Sequence, residues 1–265
     1  MLKIIVLWSA ALGVEHLVAQ EIAPLKTFEV ISIRPIEETG ASEHATADPR
    51  TRNPQISGGL LKMPDERMER ILQRAFGLPR PQIVAPEWTA TQRFSIAAKL
   101  PDGASQQDVP EMLRSMLVER FQMVSHKEIR STPALILSLA KGGIKAETAP
   151  PDSHPRGRPI GHGGMHYELT MTSAKLAEFL SEGTFAPVVD RTGLAGVYLF
   201  TFDFYLFGRL GEDGKPLEPP TGDIFADLAR NYGEALSPLG LRLTPSKVPL
   251  ENIIIDRLDR RPTEN

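Results

Sequence analysis

Cysteine is absent from all 265 residues, which removes disulfides, thiolate metal sites, iron–sulfur clusters and a thiol nucleophile together. A chain of this size buries enough surface to do without such staples, and its 23 prolines stiffen the connections. Charge of one sign is also missing. The 30 basic and 33 acidic side chains leave a formal net charge of −3, so there is no field to hold a nucleic acid, and none is expected as a partner. Catalytic signatures are scarce as well. Residues 208–214 lack the Gly-Lys-Ser/Thr ending of a phosphate loop. No G-x-S-x-G or S-x-x-K nucleophile has its partner motifs, and no H-E-x-x-H occurs. A carboxylate pair for glycoside hydrolysis cannot be singled out among 33 acids, because its test is a separation in space. No cofactor is expected.

What the chain does have begins at its N-terminus. Lys3 precedes an apolar stretch over residues 4–12, and Gly13, Ala19 and Gln20 follow. A short positive segment, an apolar run and a small-residue exit read as a secretory signal over residues 1–20, cut near Gln20. Glu15 and His16 interrupt the run well short of the ~20 apolar residues a spanning helix needs. A buried N-terminal element and an uncleaved anchor remain the alternatives, and an uncleaved signal would be the only route to a membrane. The expected address is therefore periplasm, cell envelope or outside.

Hydrophobic periodicity divides the rest into two halves, residues 21–147 and 165–265. In the first, residues 28–33 read as a strand ended by Arg34-Pro35, 37–53 as a loop, and 55–63 as a strand weakened by Gly58-Gly59. Asp65 is expected to cap a helix bearing Met68, Ile71, Leu72, Ala75 and Phe76, stopped by Gly77. Strands at 82–85 and 93–100 precede a helix with Pro110 in its first turn and Met112, Leu113, Met116, Leu117 and Phe121 on one face. Two strands, 121–128 and 134–140, close the half. Residues 148–164, rich in Pro, Gly and His, read as a linker loop.

The second half repeats the order. A strand at 165–171 leads to a helix capped by Ser173, then strands at 187–189 and 197–204, a helix at 223–232 with Ile224, Phe225 and Leu228 inward, and strands at 241–243 and 253–256. Corresponding elements lie roughly 105 to 118 residues apart, an internal duplication in element order. Strands running in pairs between helices predict an α+β fold of two similar halves, each with antiparallel or mixed strands and two helices packed on the sheet.

Four blocks carry a family likeness: Phe28-Glu29-Val30-Ile31-Ser32-Ile33-Arg34-Pro35; Phe76-Gly77-Leu78-Pro79 through Pro86-Glu87-Trp88; Leu139-Ala140-Lys141-Gly142-Gly143; and Pro187-Val188-Val189-Asp190-Arg191-Thr192-Gly193-Leu194-Ala195-Gly196-Val197-Tyr198. In these the chain resembles the soil-associated, acidobacterial DUF3738 family of unknown function, from residue 28 to the C-terminus. The resemblance implies export and, through fusions of the domain to an antibiotic-sensing membrane peptidase, a sensory or binding role. It assigns no catalytic residue. Val84-Ala85 stand where a Gly-Gly pair is common in the family, so a tight backbone approach before Trp88 is not carried over. The halves also resemble the short strand-helix-strand modules of secretins and TonB-dependent receptors, which bears on fold alone.

Candidate ligand-binding residues are Asp190, Arg191 and Thr192, in the most structured polar turn of the chain, and Trp88. Arg191 is suited to a carboxylate, and Trp88 to recognition if it is exposed. For each, a structural role competes: a well-formed turn between strands, and an aromatic anchor for its loop. His162 and His166 are weak metal candidates, because the glycines around them oppose the helix that would align them, and with His154 they read as a solvated loop. His126 reads as an exposed strand position. Tyr198, Phe200, Phe202 and Phe204 share one face of a strand and are expected to pack on a helix. The reading reached is a non-enzymatic, exported binding module for a small ligand or an envelope protein. A hydrolase whose site is assembled from distant residues is the alternative, and strand addition at an exposed sheet edge is a third mode of action.

Overall fold

The computed structural model describes residues 26–36, 55–149, 156–161, 163–208, 211 and 217–263. The signal at 1–20, the loop at 37–53, His154 and His162 lie outside the described residues.

Two consecutive glycines shape the first part of the chain. Gly58 and Gly59 take φ of 57° and 73°, the positive pair that a two-residue hairpin turn of matching twist requires. The segment expected as one strand is therefore a hairpin, β2 (Gln55–Ser57) and β3 (Leu60–Arg67). β1 (Val30–Ile36) and β5 (Arg93–Lys99) complete an outer sheet of order β1-β5-β3-β2. Pro35 does not end β1; the strand lies at a sheet edge, where a missing N–H is tolerated. Asp65 does not cap the following helix either. It lies within β3 beside a register shift and is ion-paired with Arg93, leaving Arg67 at the cap of α1 (Met68–Phe76) without a side-chain bond. Gly77, at φ 63°, ends that helix as expected. The stripe of α2 (Val109–Phe121) is buried as its spacing predicts, behind a capping box of Ser105 and Asp108.

The second half builds a matching outer sheet. β7 (Glu147–Thr148), β8 (Arg156–Gly161), β9 (Gly164–Met171) and β11 (Tyr198–Tyr205) take the order β7-β11-β9-β8. The expected linker at 148–164 is thus partly strand, since β8 pairs with β9. His166 lies within β9, as the strand expected at 165–171 has it, and not in the solvated loop read around His154. Helix α3 (Ser173–Thr184) is capped by the Thr172 side chain rather than by Ser173. Asp223 caps α4 (Ile224–Leu236), and Leu228 faces the core, but Ile224 and Phe225 are exposed, contrary to expectation.

A central sheet joins the halves. β6 (Val124–Leu139) and β12 (Leu241–Arg257) are single strands of 16 and 17 residues where two shorter strands each were expected. They pair antiparallel along almost their whole length. Two short strands flank them, β4 (Ile83–Val84) parallel to β12 and β10 (Val188–Asp190) parallel to β6. The order β10-β6-β12-β4 is unchanged when the halves are exchanged, because each half lends its short strand to the other's long one. An α+β fold of two similar halves is what the structure shows.

Both cores lean on this shared ribbon. The first gathers Phe94, Ile71, Leu113 and Phe121 with Ile253 and Ile255 of β12, and the second gathers Phe200, Leu176, Leu180 and Leu228 with Leu137 of β6. Near the ribbon's middle, Asn252 donates to Thr132 Oγ1 at 2.8 Å and to the Leu250 carbonyl at 2.7 Å. Thr132 lies opposite Val248, four residues along β12 from Asn252, so the ribbon must coil to bring the two side chains together on its inner side. Among the described residues no helix is long and apolar enough to cross a membrane.

Candidate functional site

The aromatic alternation of β11 sets up a polar concave region. Phe200, Phe202 and Phe204 turn into the second core, Phe204 stacking on Tyr232 at 3.9 Å, so Thr201, Asp203 and Tyr205 take the opposite face. On the neighbouring strand, His166 and Glu168 share that face. His166 Nδ1 lies 2.6 Å from Asp203 Oδ1, and its Nε2 lies 3.4 Å from Glu168 Oε1. A cavity of about 420 Å³ runs from His166, Thr201, Asp203 and Tyr205 to Asn231, Glu234, Ala235 and Pro238 on α4 and the turn after it.

Asn231 is the telling residue of that cavity. Its Nδ2 donates to the carbonyls of Tyr205 and Leu206, at 3.2 and 3.1 Å, and so ties the helix to the end of β11. The residue is 5% exposed, yet its Oδ1 has no hydrogen-bond partner among the described residues. A buried amide oxygen left unpaired costs about 1–3 kcal/mol, which an incoming N–H or O–H donor would relieve. Gly208, at φ 77°, adjoins this oxygen, and a Cβ there would stand 3.6 Å from it.

Chemically, the His166–Asp203 pair resembles the base and orienting acid of a triad, but its second ring nitrogen faces a carboxylate instead of a hydroxyl. A second such pair, His126 Nδ1 to Asp256 Oδ2 at 2.8 Å, is exposed on the central ribbon, with Glu128 beyond Nε2 at 3.9 Å. Hydrogen bonding from Arg130 draws the Glu128 carboxyl below its ordinary range, outweighing its desolvation. No cluster of three or more His, Cys, Asp or Glu side chains suited to a metal ion occurs among the described residues.

The residues singled out from sequence lie elsewhere. Asp190 Oδ1 accepts from the Thr192 N–H and hydroxyl, at 2.8 and 2.7 Å, and Oδ2 accepts from Ser173 at 2.6 Å. Burial raises the Asp190 carboxyl, but these donors from Ser173 and Thr192 outweigh it and hold the group below its ordinary value. Thr192 is buried, while Arg191 is exposed and fixed through its backbone, its N–H meeting the Leu137 carbonyl at 2.8 Å. The constellation is a closed turn that pins α3 to the end of β10. Trp88 is half-buried against the first core and sits in a short 3₁₀ turn before β5. The two motifs occupy equivalent connections in opposite halves, and neither lines the cavity beside β11.

Another groove, of about 630 Å³, separates the end of α1 from α3. Arg70 stacks over the Phe185 ring at 5.1 Å across it, and Arg74, Glu178 and Glu182 give its walls opposite charges. It joins the two halves.

Sequence reading missed Asn231, Glu168, Asp203 and Glu234. Alternation along β11 placed Asp203 opposite the aromatic face, and H-x-E at residues 166–168 set two polar side chains on one face of a strand. Asn231 carried no such signal, because its importance comes from the strand end that it meets in space.

Comparison with curated proteins and with solved structures gave no match. A family model described as a protein of unknown function (DUF3738) matches residues 69–258, from the first turn of α1 to the end of the ribbon. The chain belongs to the DUF3738 family.

Proposed function

We propose that this chain is an exported, non-enzymatic binding module of the cell envelope, and that it binds in the cavity between β11 and α4. The observation that carries the reading is the buried Asn231 Oδ1, an acceptor without a partner among the described residues, on a residue that lines a cavity beside a sheet edge. An N-terminus that reads as a secretory signal supports the address. A hydrolytic role would start from His166 and Asp203, but Glu168 holds the position at Nε2 that a nucleophile would need.

The test is an NMR titration of isotope-labelled protein with a panel of small amines, amides and short peptides, run beside ester, amide and glycoside turnover assays. Binding that shifts the Asn231 side-chain amide without turnover is the expected result. Turnover abolished by His166→Ala would overturn the reading in favour of the hydrolase.

A further inference from the structure

The two outer sheets match in order but differ at one edge. β1 runs along the whole of β5, from Val30 opposite Lys99 to Ile36 opposite Arg93. At the equivalent place β7 pairs only with Tyr198 and Leu199, so among the described residues the rest of β11 has no neighbour on that side.

The backbone bonds show which groups are left facing out. Ala149 donates to the Val197 carbonyl at 3.0 Å on the β7 side, while Leu206 points its N–H towards Gly163 on the β9 side, at 3.5 Å. Alternate residues of an antiparallel strand bond to opposite sides. Thr201, Asp203 and Tyr205 therefore direct their N–H and C=O groups away from β9. Of these groups the Tyr205 carbonyl accepts from Asn231 and from the Gly208 N–H, at 3.2 and 3.1 Å; the N–H and C=O of Thr201 and Asp203 have no partner among the described residues. An open edge of this kind is a template for another strand.

Resting on the binding reading above, we propose that this edge accepts an extended segment of a partner protein as an added antiparallel strand carrying lysine or arginine opposite Asp203. Three observations fix the occupant. Antiparallel addition is how β1 covers β5 and how β7 begins to cover β11. The unpaired Asn231 Oδ1 stands beside the end of the edge and takes an N–H from the segment. Asp203 on the strand and Glu234 on α4 both line the groove, which favours a cationic side chain. Pairing with a second copy is disfavoured on the same ground, because edge-to-edge contact would bring Asp203 and Glu234 of each chain against like charges.

The test is a titration of the isotope-labelled full chain with a blocked seven-residue peptide of alternating valine and lysine, and with its glutamate counterpart. The lysine peptide is expected to shift the backbone amides of Thr201 and Asp203 together with the Asn231 side chain, and the glutamate peptide to leave them unmoved. Thr201→Pro removes an N–H that faces the open edge, a change the β9 ladder tolerates as β1 tolerates Pro35, and should weaken binding at least tenfold. Asp203→Lys should reverse the preference between the peptides. The proposal is overturned if the lysine peptide moves none of these amides, if Thr201→Pro binds as tightly as the parent, or if the same amides shift with protein concentration alone, which would identify a second copy. Should a small amine or amide move Asn231 while neither peptide moves Thr201 or Asp203, the strand proposal falls and the binding reading stands. If nothing moves Asn231, both fall.

Discussion

Asn252 offers the sharpest test of how the halves are joined. It is 1% exposed and Thr132 is 2% exposed, and the pair links the two longest strands. Replacing Asn252 with alanine leaves the Leu250 carbonyl without its side-chain donor and the Thr132 hydroxyl without its cross-strand partner. The Leu250 carbonyl is only partly buried and the Thr132 hydroxyl keeps the Arg130 carbonyl at 3.1 Å, so the lost bonds cost towards the low end of about 1–3 kcal/mol and, with the small void, the expected loss is about 2 kcal/mol. Urea unfolding followed by circular dichroism measures it. Because Ile253 and Ile255 belong to the first core and Leu241 to the second, the loss should appear as a shift of one transition rather than as the early melting of one half. The double variant Thr132→Val with Asn252→Leu should recover part of the loss, since removing both partners leaves fewer unmet groups. A loss under ~1 kcal/mol, or two separate transitions, would refute the reasoning.

Two further outcomes follow from local geometry. A Cβ at Gly183 would stand 2.8 Å from the Tyr232 ring carbon that bears the hydroxyl, and Tyr232 is buried and held by Phe204. Gly183→Val should therefore push α3 and α4 apart and cost about 1–3 kcal/mol, read as a fall in Tm by calorimetry. Asp190 has its folded pKa below its unfolded value, so its contribution is present above the ordinary carboxyl value of about 4 and disappears as pH falls through the folded value. The stability difference between the parent and Asp190→Asn should be constant from pH 6 to 8 and shrink below about pH 4 in denaturant titrations; a difference that grows on acidification would contradict the bonds drawn to Ser173 and Thr192.

Periodicity made much of this fold legible. The buried faces of α1 and α2, the aromatic face of β11 and the matching order of the halves all follow from spacing, because burial on one side of an element repeats with that element's period. The long strands did not show, and proline is the reason. Pro133, Pro245 and Pro249 lie inside β6 and β12, where proline normally argues against a central strand. The bonds from Leu135 to Pro187 and from Arg191 to Leu137 show that odd-numbered residues of β6 face away from β12. By the antiparallel register the same holds for their odd-numbered partners, so all three prolines sit where no N–H is needed for the ribbon. β10 and β4 pair only at residues 135–137 and 253–254, which leaves the proline positions clear. The Gly58-Gly59 pair is a hairpin signal as well as a weakness in a single strand, and the structure takes the hairpin. Of the candidate site, the placement of Asp203 was legible through alternation, whereas Asn231 and the bare edge of β11 depend on pairings between distant segments, which no local pattern reports.

The open edge is the central claim, and native-state hydrogen exchange tests it most directly. In the free protein the amides of Ser95 and Ala97, which face β1, should be protected, whereas those of Thr201 and Asp203, at the equivalent places on β11, should exchange orders of magnitude faster. Equal protection at the two edges would mean that β11 is already covered, and would contradict the account.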